Sequence, residues 1–326
     1  MPELADAAPQ EGVGASGPVP LRDLLTGVAK ALSTAPRDRY GDDNVDPALE
    51  ARWLVSAVLD LSPLALAQRV TTGAVVDEAT LDRIRRALHR RMTGEPLAYA
   101  VGSAAFRELV LQVDRRVLIP RPETEIVVGE ALRLSAERPG GIAVDIGTGS
   151  GAIALSLAHE GAFDHVIATD ISEDALDVAR GNDSRLRAAD TTWKASPVEF
   201  RVGADLAPVR DVRARVIVSN PPYIAYDEAG ALPASVRDWE PSVALFAAER
   251  GMARYVALLS GAHAVLEPDG WIVLELDARR AHETAALARQ YGFADVRVMQ
   301  DLTGRERVLV ARRTAGHDGT TASQRH

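Results

Sequence analysis

The chain has 326 residues, 47% of them apolar and 25% charged, with 37 basic against 46 acidic side chains and a net charge of -9. That length and composition suit a globular protein of two domains, and the acidic balance argues against a dedicated nucleic-acid binder. The complete lack of cysteine excludes disulfides, thiolate catalysis and Cys-ligated zinc.

Residues 1–18 are rich in Ala, Gly, Pro and acid, a composition that predicts disorder and does not resemble a signal peptide. Residues 19–95 read as a small helical domain. Leu21, Leu24, Leu25, Val28 and Leu32 recur at helical spacing, and a polar loop follows. Asp46-Pro47 then forms a cap and first-turn pair, with Trp53, Leu54, Ala57 and Val58 as the apolar face. A third helix, ATLDRIRRALHRRM, places Leu81, Ile84, Leu88 and Met92 on one side. Its basic stretch 83–92 fits a solvated face, or contact with an acidic partner or RNA.

Residues 96–122 form a β-hairpin linker, in which FRELVLQVDRRVLIP alternates and breaks at Asp114-Arg115-Arg116. In RPETEIVVGEALRL, Pro122 suits a helix's first turn, and Glu123 and Glu125 suit its positive end. Residues 123–313 alternate strand and helix. IAVDI, HVIATDI, VEFRVG, RVIVSN, WIVLEL, ADVRVM and RVLVAR read as strands. This is an α/β pattern, a doubly wound Rossmann-like sheet. QDLTGRE is too short for a parallel crossover, so the last strand runs antiparallel. Residues 314–326 read as a disordered tail. No apolar run is long enough to span a bilayer, and the expected location is cytoplasmic.

Two motifs carry chemistry. In AVDIGTGSGAIALSLA a strand runs through Gly147, Thr148, Gly149, Ser150 and Gly151 into a helix whose free N–H groups face a ligand. The spacing lacks both the dinucleotide fingerprint and the P-loop Lys, and the next strand ends in Asp170, an acid suited to ribose hydroxyls. A ligand with a ribose but no phosphate fits, and S-adenosylmethionine is such a ligand. The bland alternative is a tight turn with no ligand. Asp145 and the loop N–H groups would hold the amino-acid tail. Asp205 would meet the adenine with Leu206, unless Leu206 is core.

The second motif, VIVSNPPYI, ends a strand on two residues that cannot donate a backbone hydrogen bond. Asn220 and the Pro221 carbonyl could accept both hydrogens of an NH2 group. Pro221 and Pro222 would lock them, and Tyr223 would pack on a planar substrate and exclude water. The alternative is a proline corner that merely ends a strand. The seven histidines are scattered without metal-ligand spacing, so no metal is expected.

GTGSG, TDIS-x-x-AL-x-VA-x-x-N, SNPPYI, EP-x-x-AL, the upstream GEPLAYAVG and LIPRPETE, and DLTGRER together resemble the N5-glutamine methyltransferases of peptide chain release factors, a class I S-adenosylmethionine-dependent family. The resemblance runs from Gly94 to Arg312. It implies a release-factor glutamine in a Gly-Gly-Gln loop as substrate, and an N-terminal domain that helps dock the release factor. Other outcomes are a ribosomal-protein glutamine or nucleic-acid amino methyltransferase, or a non-catalytic adaptor. Nucleic acid is not the expected substrate. The chain departs from the family's pattern at Asp277 and Arg280, where Gly and Gln are usual. It departs again at Ala247 and Ala248, where a glycine pair is usual, and at Arg250, where an acid is common.

Overall fold

The computed structural model describes residues 18–34, 45–189 and 194–314. The expectations of disorder at 1–18 and 314–326 lie outside these residues, apart from Pro18 and Thr314. The chain divides into two compact units between Val101 and Gly102.

In the first unit a two-residue strand β1 (Val19–Pro20) leads into α1 (Leu21–Leu32), followed by α2 (Pro47–Leu59), α3 (Pro63–Thr71), β2 (Val75–Val76), α4 (Glu78–Met92) and α5 (Leu97–Val101). Side chains cap three of these helices. Asp46 accepts from Ala48 N at 2.9 Å, Ser62 from Ala65 N at 3.2 Å and Asp77 from Thr80 N at 2.7 Å, each worth about 1 kcal/mol. Leu21, Leu32, Leu54 and Ile84 are fully buried in the core. On α2 the buried face is Ala51, Leu54 and Val55, and Trp53 stands 44% exposed. The face expected to carry Trp53 is therefore rotated, because the smaller Ala51 and Val55 let α1 approach. The unit ends beyond residue 95 because α5 packs on α4 and α2. The basic stretch of α4 is largely paired within its own unit: Arg85 with Glu78 and Asp82, Arg90 with Glu95, and Arg91 with Glu50.

The second unit opens with a hairpin, β3 (Ser103–Phe106) and β4 (Leu109–Gln112), which turns at Arg107-Glu108 rather than at Asp114–Arg116. Arg107 adopts a left-handed φ of 51°. Its N–H donates to Glu125 at 3.1 Å and its guanidinium pairs with Glu160. Those distant partners hold a turn that contains no Gly or Asn.

Then follow α6 (Thr124–Ala136), β5 (Ile142–Ile146), α7 (Ala152–Glu160), β6 (His165–Asp170), α8 (Glu173–Ala189), β7 (Val198–Val202) and β8 (Ala214–Ser219). After β8 come the short pieces β9 (Ile224–Ala225), α9 (Ala234–Arg237), α10 (Ser242–Leu245) and β10 (Phe246–Ala247). The chain closes with α11 (Ala253–Val265), β11 (Leu266–Glu275), α12 (Ala281–Gln290), β12 (Ala294–Gln300) and β13 (Glu306–Arg312). The seven-stranded sheet has the order β12-β13-β11-β8-β5-β6-β7. All neighbours are parallel except β13, which runs antiparallel to both β11 and β12.

Alternating residues of the central strands feed two cores. Val144, Ile217 and Leu274 face α11 and α12, while Ala143, Val218 and Val273 face α6 and α7. Each fully buried aliphatic side chain contributes about 1.5–3 kcal/mol. The chain winds outward from β5 through β6 to β7, then returns to the other side of β5 as β8. The point where the order reverses lies between the C-terminal ends of β5 and β8, where an open α/β sheet leaves its crevice.

Candidate active site

A cleft lies at that reversal. Its floor is built from four strand ends: Gly147 and Gly149 after β5, Asp170 at the end of β6, Asp205 after β7, and Asn220 to Pro222 after β8.

The glycine loop is stitched to β6, with the Gly147 and Thr148 N–H groups both donating to Thr169 O, at 2.9 and 2.8 Å. Gly147, Gly149 and Gly151 have φ of 75°, 55° and 85°, values that side chains rarely tolerate. Their roles divide. A Cβ at Gly147 or Gly149 would meet nothing within 4 Å, because both face the open cleft. A Cβ at Gly151 would sit 3.0 Å from Leu155 and 3.3 Å from Ala179, so that glycine serves helix packing. Asp170 lies on the cleft wall. One oxygen accepts from Gly149 N at 2.9 Å and the other from Ser172 N at 2.9 Å. The bare backbone at Gly147 and Gly149 beside a carboxylate fits S-adenosylmethionine, whose amino-acid tail and ribose need close backbone approach and hydroxyl acceptors.

Besides Gly151, four residues expected at the ligand do not line the cleft. Asp145 is fully buried, with Oδ2 accepting from Thr148 Oγ1 at 2.6 Å and from Ala154 N at 3.1 Å. It shapes the loop and does not line the cleft, because its carboxylate is turned to the start of α7. Burial pushes its pKa up to about 7, against the hydrogen bonds from Thr148 and Ala154. Thr148 is itself buried, and so is Ser150, whose carbonyl accepts from Asn182 Nδ2 at 2.9 Å. Leu206 is 7% exposed and belongs to the core with Leu258. A Cβ at Gly261 would come within 2.9 Å of it. Of its two expected roles the structure shows the core one. Asp205 does line the cleft, but Arg254 of α11 donates to both its oxygens at 3.0 Å. Sequence reading gave no sign of Arg254.

Asn220 and Pro221 also line a second hollow with Tyr223, Leu118 and Arg121. They therefore stand on the wall shared by two cavities. Tyr223 lies in the second cavity alone, and burial raises its phenol pKa. Ser219 Oγ donates to Ile146 O at 2.6 Å, tying the end of β8 to the end of β5. Asn220 Nδ2 donates to Thr124 Oγ1 at 3.1 Å, and Thr124 Oγ1 donates to Glu275 Oε2 at 2.5 Å. Burial pushes Glu275 up to about 7, opposed by the Thr124 hydrogen bond and by Arg307.

A roof joins two distant segments. Glu240, 6% exposed, accepts from Arg121 and from Ile119 N, and Arg115 lies 4.0 Å from the Trp239 ring centroid. LIPRPETE and EP-x-x-AL thus meet through a carboxylate. The departing residues form a cluster of their own. Asp277 and Arg280, both nearly buried, pair with each other. Arg280 also bonds Glu228 at 3.1 Å and the Arg250 carbonyl at 2.6 Å. Ala247 is buried and pairs with Ala225 in the short β9–β10 ladder. These contacts fold the segment after Tyr223 back against the sheet.

The likeness to known proteins follows the same two parts. Residues 41–102 match the PrmC N-terminal domain and residues 130–232 the methyltransferase small domain. The release factor glutamine methyltransferase of Moorella thermoacetica is 38% identical over 285 residues, covering 87% of this chain and 98% of that protein. That of Cereibacter sphaeroides is 37% identical over 267 residues, covering 82% and 91%. That of Bordetella pertussis is 38% identical over 280 residues, covering 84% and 98%. With that identity sustained across both parts, the chain belongs to the release factor glutamine methyltransferase family.

Proposed function

We propose that the chain transfers a methyl group from S-adenosylmethionine to the side-chain amide nitrogen (N5) of the glutamine in the Gly-Gly-Gln motif of peptide chain release factors. The observation that carries this reading is the position of Asn220 and Pro221 on the wall between two hollows. The one lined by Gly147, Gly149 and Asp170 suits the cofactor, and the one lined by Tyr223 and Arg121 suits a planar amide.

The cofactor supplies an electrophilic methyl group on a sulfonium. Gly147, Gly149, Asp170 and Asp205 would hold it, while Asp145, Thr148, Ser150 and Gly151 keep the loop in shape beneath. Leu206 would support the adenine end from the core. The protein's task at the acceptor is orientation, since a held geometry can lower a barrier by about 7–11 kcal/mol. Asn220 Oδ1 and the Pro221 carbonyl accept the two amide hydrogens, which directs the nitrogen lone pair at the methyl. Pro222 restricts the backbone, and Tyr223 covers the planar group and keeps water out. No metal is needed for this chemistry. Among the described residues no three His, Asp or Glu side chains are grouped as metal ligands.

We assign release-factor docking to the helical unit and place the reaction in the cytoplasm. Among the described residues no single helix is long and apolar enough to cross a membrane, although α2 and α3 together, bent by 96°, meet that test by length and composition. The decisive experiment incubates the protein with labelled cofactor and purified release factor and maps the modified residue by mass spectrometry. Methylation at the Gly-Gly-Gln glutamine is the expected result. An unlabelled release factor, with label instead entering ribosomal protein or nucleic acid when these are supplied in its place, would overturn the substrate. The Asn220→Ala variant should lose transfer and keep most cofactor affinity, and full activity would end the positioning role.

A further inference from the structure

We infer that Thr124 and Glu275 are positioning residues that fix which end of the Asn220 amide faces the substrate. This rests on the reading of Asn220 as an acceptor for the glutamine N–H.

Sheet register brings the parts together. Leu274 of β11 lies opposite Ser219 of β8, so Glu275 and Asn220 follow side by side at adjacent strand ends. Thr124, the first residue of α6, bridges them. An Asn side chain has nearly the same shape with either end forward, so only its partners choose the orientation. A hydroxyl has one hydrogen, and Thr124 commits its own to Glu275 Oε2 at 2.5 Å. Its oxygen is then left as an acceptor, and Nδ2 of Asn220 supplies the hydrogen at 3.1 Å. The reversed amide would set two oxygens against each other with no hydrogen between. Oδ1 is therefore the end left for the acceptor hollow.

A carboxylate enforces this direction because it has no hydrogen to give. Glu275 is 2% exposed. It is faced by Arg307 from β13, by Arg121 and Glu123 ahead of α6, and by Tyr223, which Asp277 also faces. From α11, Tyr255 donates to the Glu275 carbonyl at 3.2 Å. Protonated Glu275 could donate to Thr124, which would free the Thr124 hydrogen and let the amide turn. The lock therefore depends on the charge at Glu275.

The test uses the full chain with purified release factor and three variants, Thr124→Val, Thr124→Ser and Glu275→Gln. Thr124→Val should lower kcat about 100-fold, with KM and cofactor affinity changed by less than about threefold. Thr124→Ser should restore most of the rate. The wild-type kcat should fall as the medium is acidified below about pH 7, and Glu275→Gln should lose that limb. A readout free of substrate is the Asn220 side-chain N–H pair in isotope-labelled protein, whose hydrogen-bonded proton should shift in Thr124→Val and return in Thr124→Ser. An unshifted resonance, or a Thr124→Val enzyme at full kcat, overturns the inference. A wild-type enzyme that leaves the release-factor glutamine unmodified overturns the substrate reading instead, and the resonance still decides the orientation.

Discussion

Replacing Asp145 with Asn should change how stability depends on pH. The carboxyl is fully buried under the glycine loop, with Oδ1 lacking a hydrogen-bond partner. Burial holds its pKa at about 7, against an ordinary 3.8. At about 1.4 kcal/mol per tenfold step, the charged form is disfavoured by roughly 4 kcal/mol in the folded chain. The sign follows from linkage. The folded state holds the proton more tightly, so Asp145 contributes its full stability below about pH 4 and loses it as pH rises through 7. Between pH 5 and pH 8 the loss is about 2–3 kcal/mol. An Asn at this position is neutral throughout, and its oxygen can still accept from Thr148 and Ala154. Urea titrations at several pH values, followed by hydrogen exchange at the β5 amides, compare the two proteins. Asp145→Asn should gain on the wild type by about 2–3 kcal/mol from pH 5 to pH 8. Parallel curves would refute the argument, because they would mean that the buried carboxyl ionises as readily in the folded chain as in the unfolded one.

Gly149→Ala should cost about 1–2 kcal/mol from its left-handed φ and weaken cofactor binding at least about tenfold, since the new Cβ enters the cleft; calorimetry of cofactor binding checks it. Glu240→Ala should raise the KM values more than it lowers kcat, because it frees Arg121 and Ile119 in the roof and leaves Asn220 in place; steady-state kinetics separate the two. Arg280→Met should destabilise the second unit by about 3 kcal/mol, as Asp277 and Glu228 lose a partner in a nearly buried cluster. Pairing it with Asp277→Leu should recover part of that loss in thermal unfolding.

The sheet was legible because its signals are local. The strands are short and rich in apolar residues, every crossover but that from β7 to β8 carries a helical period, and QDLTGRE is too short for anything but an antiparallel return. Gly147, Gly149, Asp170 and Asn220 were legible for a related reason. They end strands, and strand ends of this topology face one crevice. What the chain order hides is partnership across distance. Glu240 finds Arg121 across 119 residues, and Glu275 finds Thr124 across 151. Nothing in WIVLEL distinguishes Glu275 as the acid linked through Thr124 to the Asn220 amide. Arg107 holds a tight turn only because Glu125 and Glu160 come to it, so the hairpin was placed at the wrong polar break. Position along β5 fixes the depth of Asp145 in the sheet but not the direction its side chain takes, and Leu206, open to either an adenine contact or the core, lies beyond the end of β7 and packs in the core.

The supports of the site also separate its two tasks. Everything that holds Asn220 comes from the sheet and the start of α6. The prolines follow it, Ser219 is bonded to Ile146, and Thr124 is bonded to Glu275. These groups are in place before either substrate arrives, so little reorganisation is required in the transition state. The roof differs. It is assembled from loops held by Glu240, by Arg115 over Trp239, and by the Arg280 cluster behind Tyr223. Substitutions among the first set should act on kcat, and those among the second on substrate affinity. The departures at Asp277, Arg280, Ala247 and Ala248 all fall in the second set. They therefore bear on how the acceptor hollow is closed, while the orientation of the amide that faces it depends on Thr124 and Glu275.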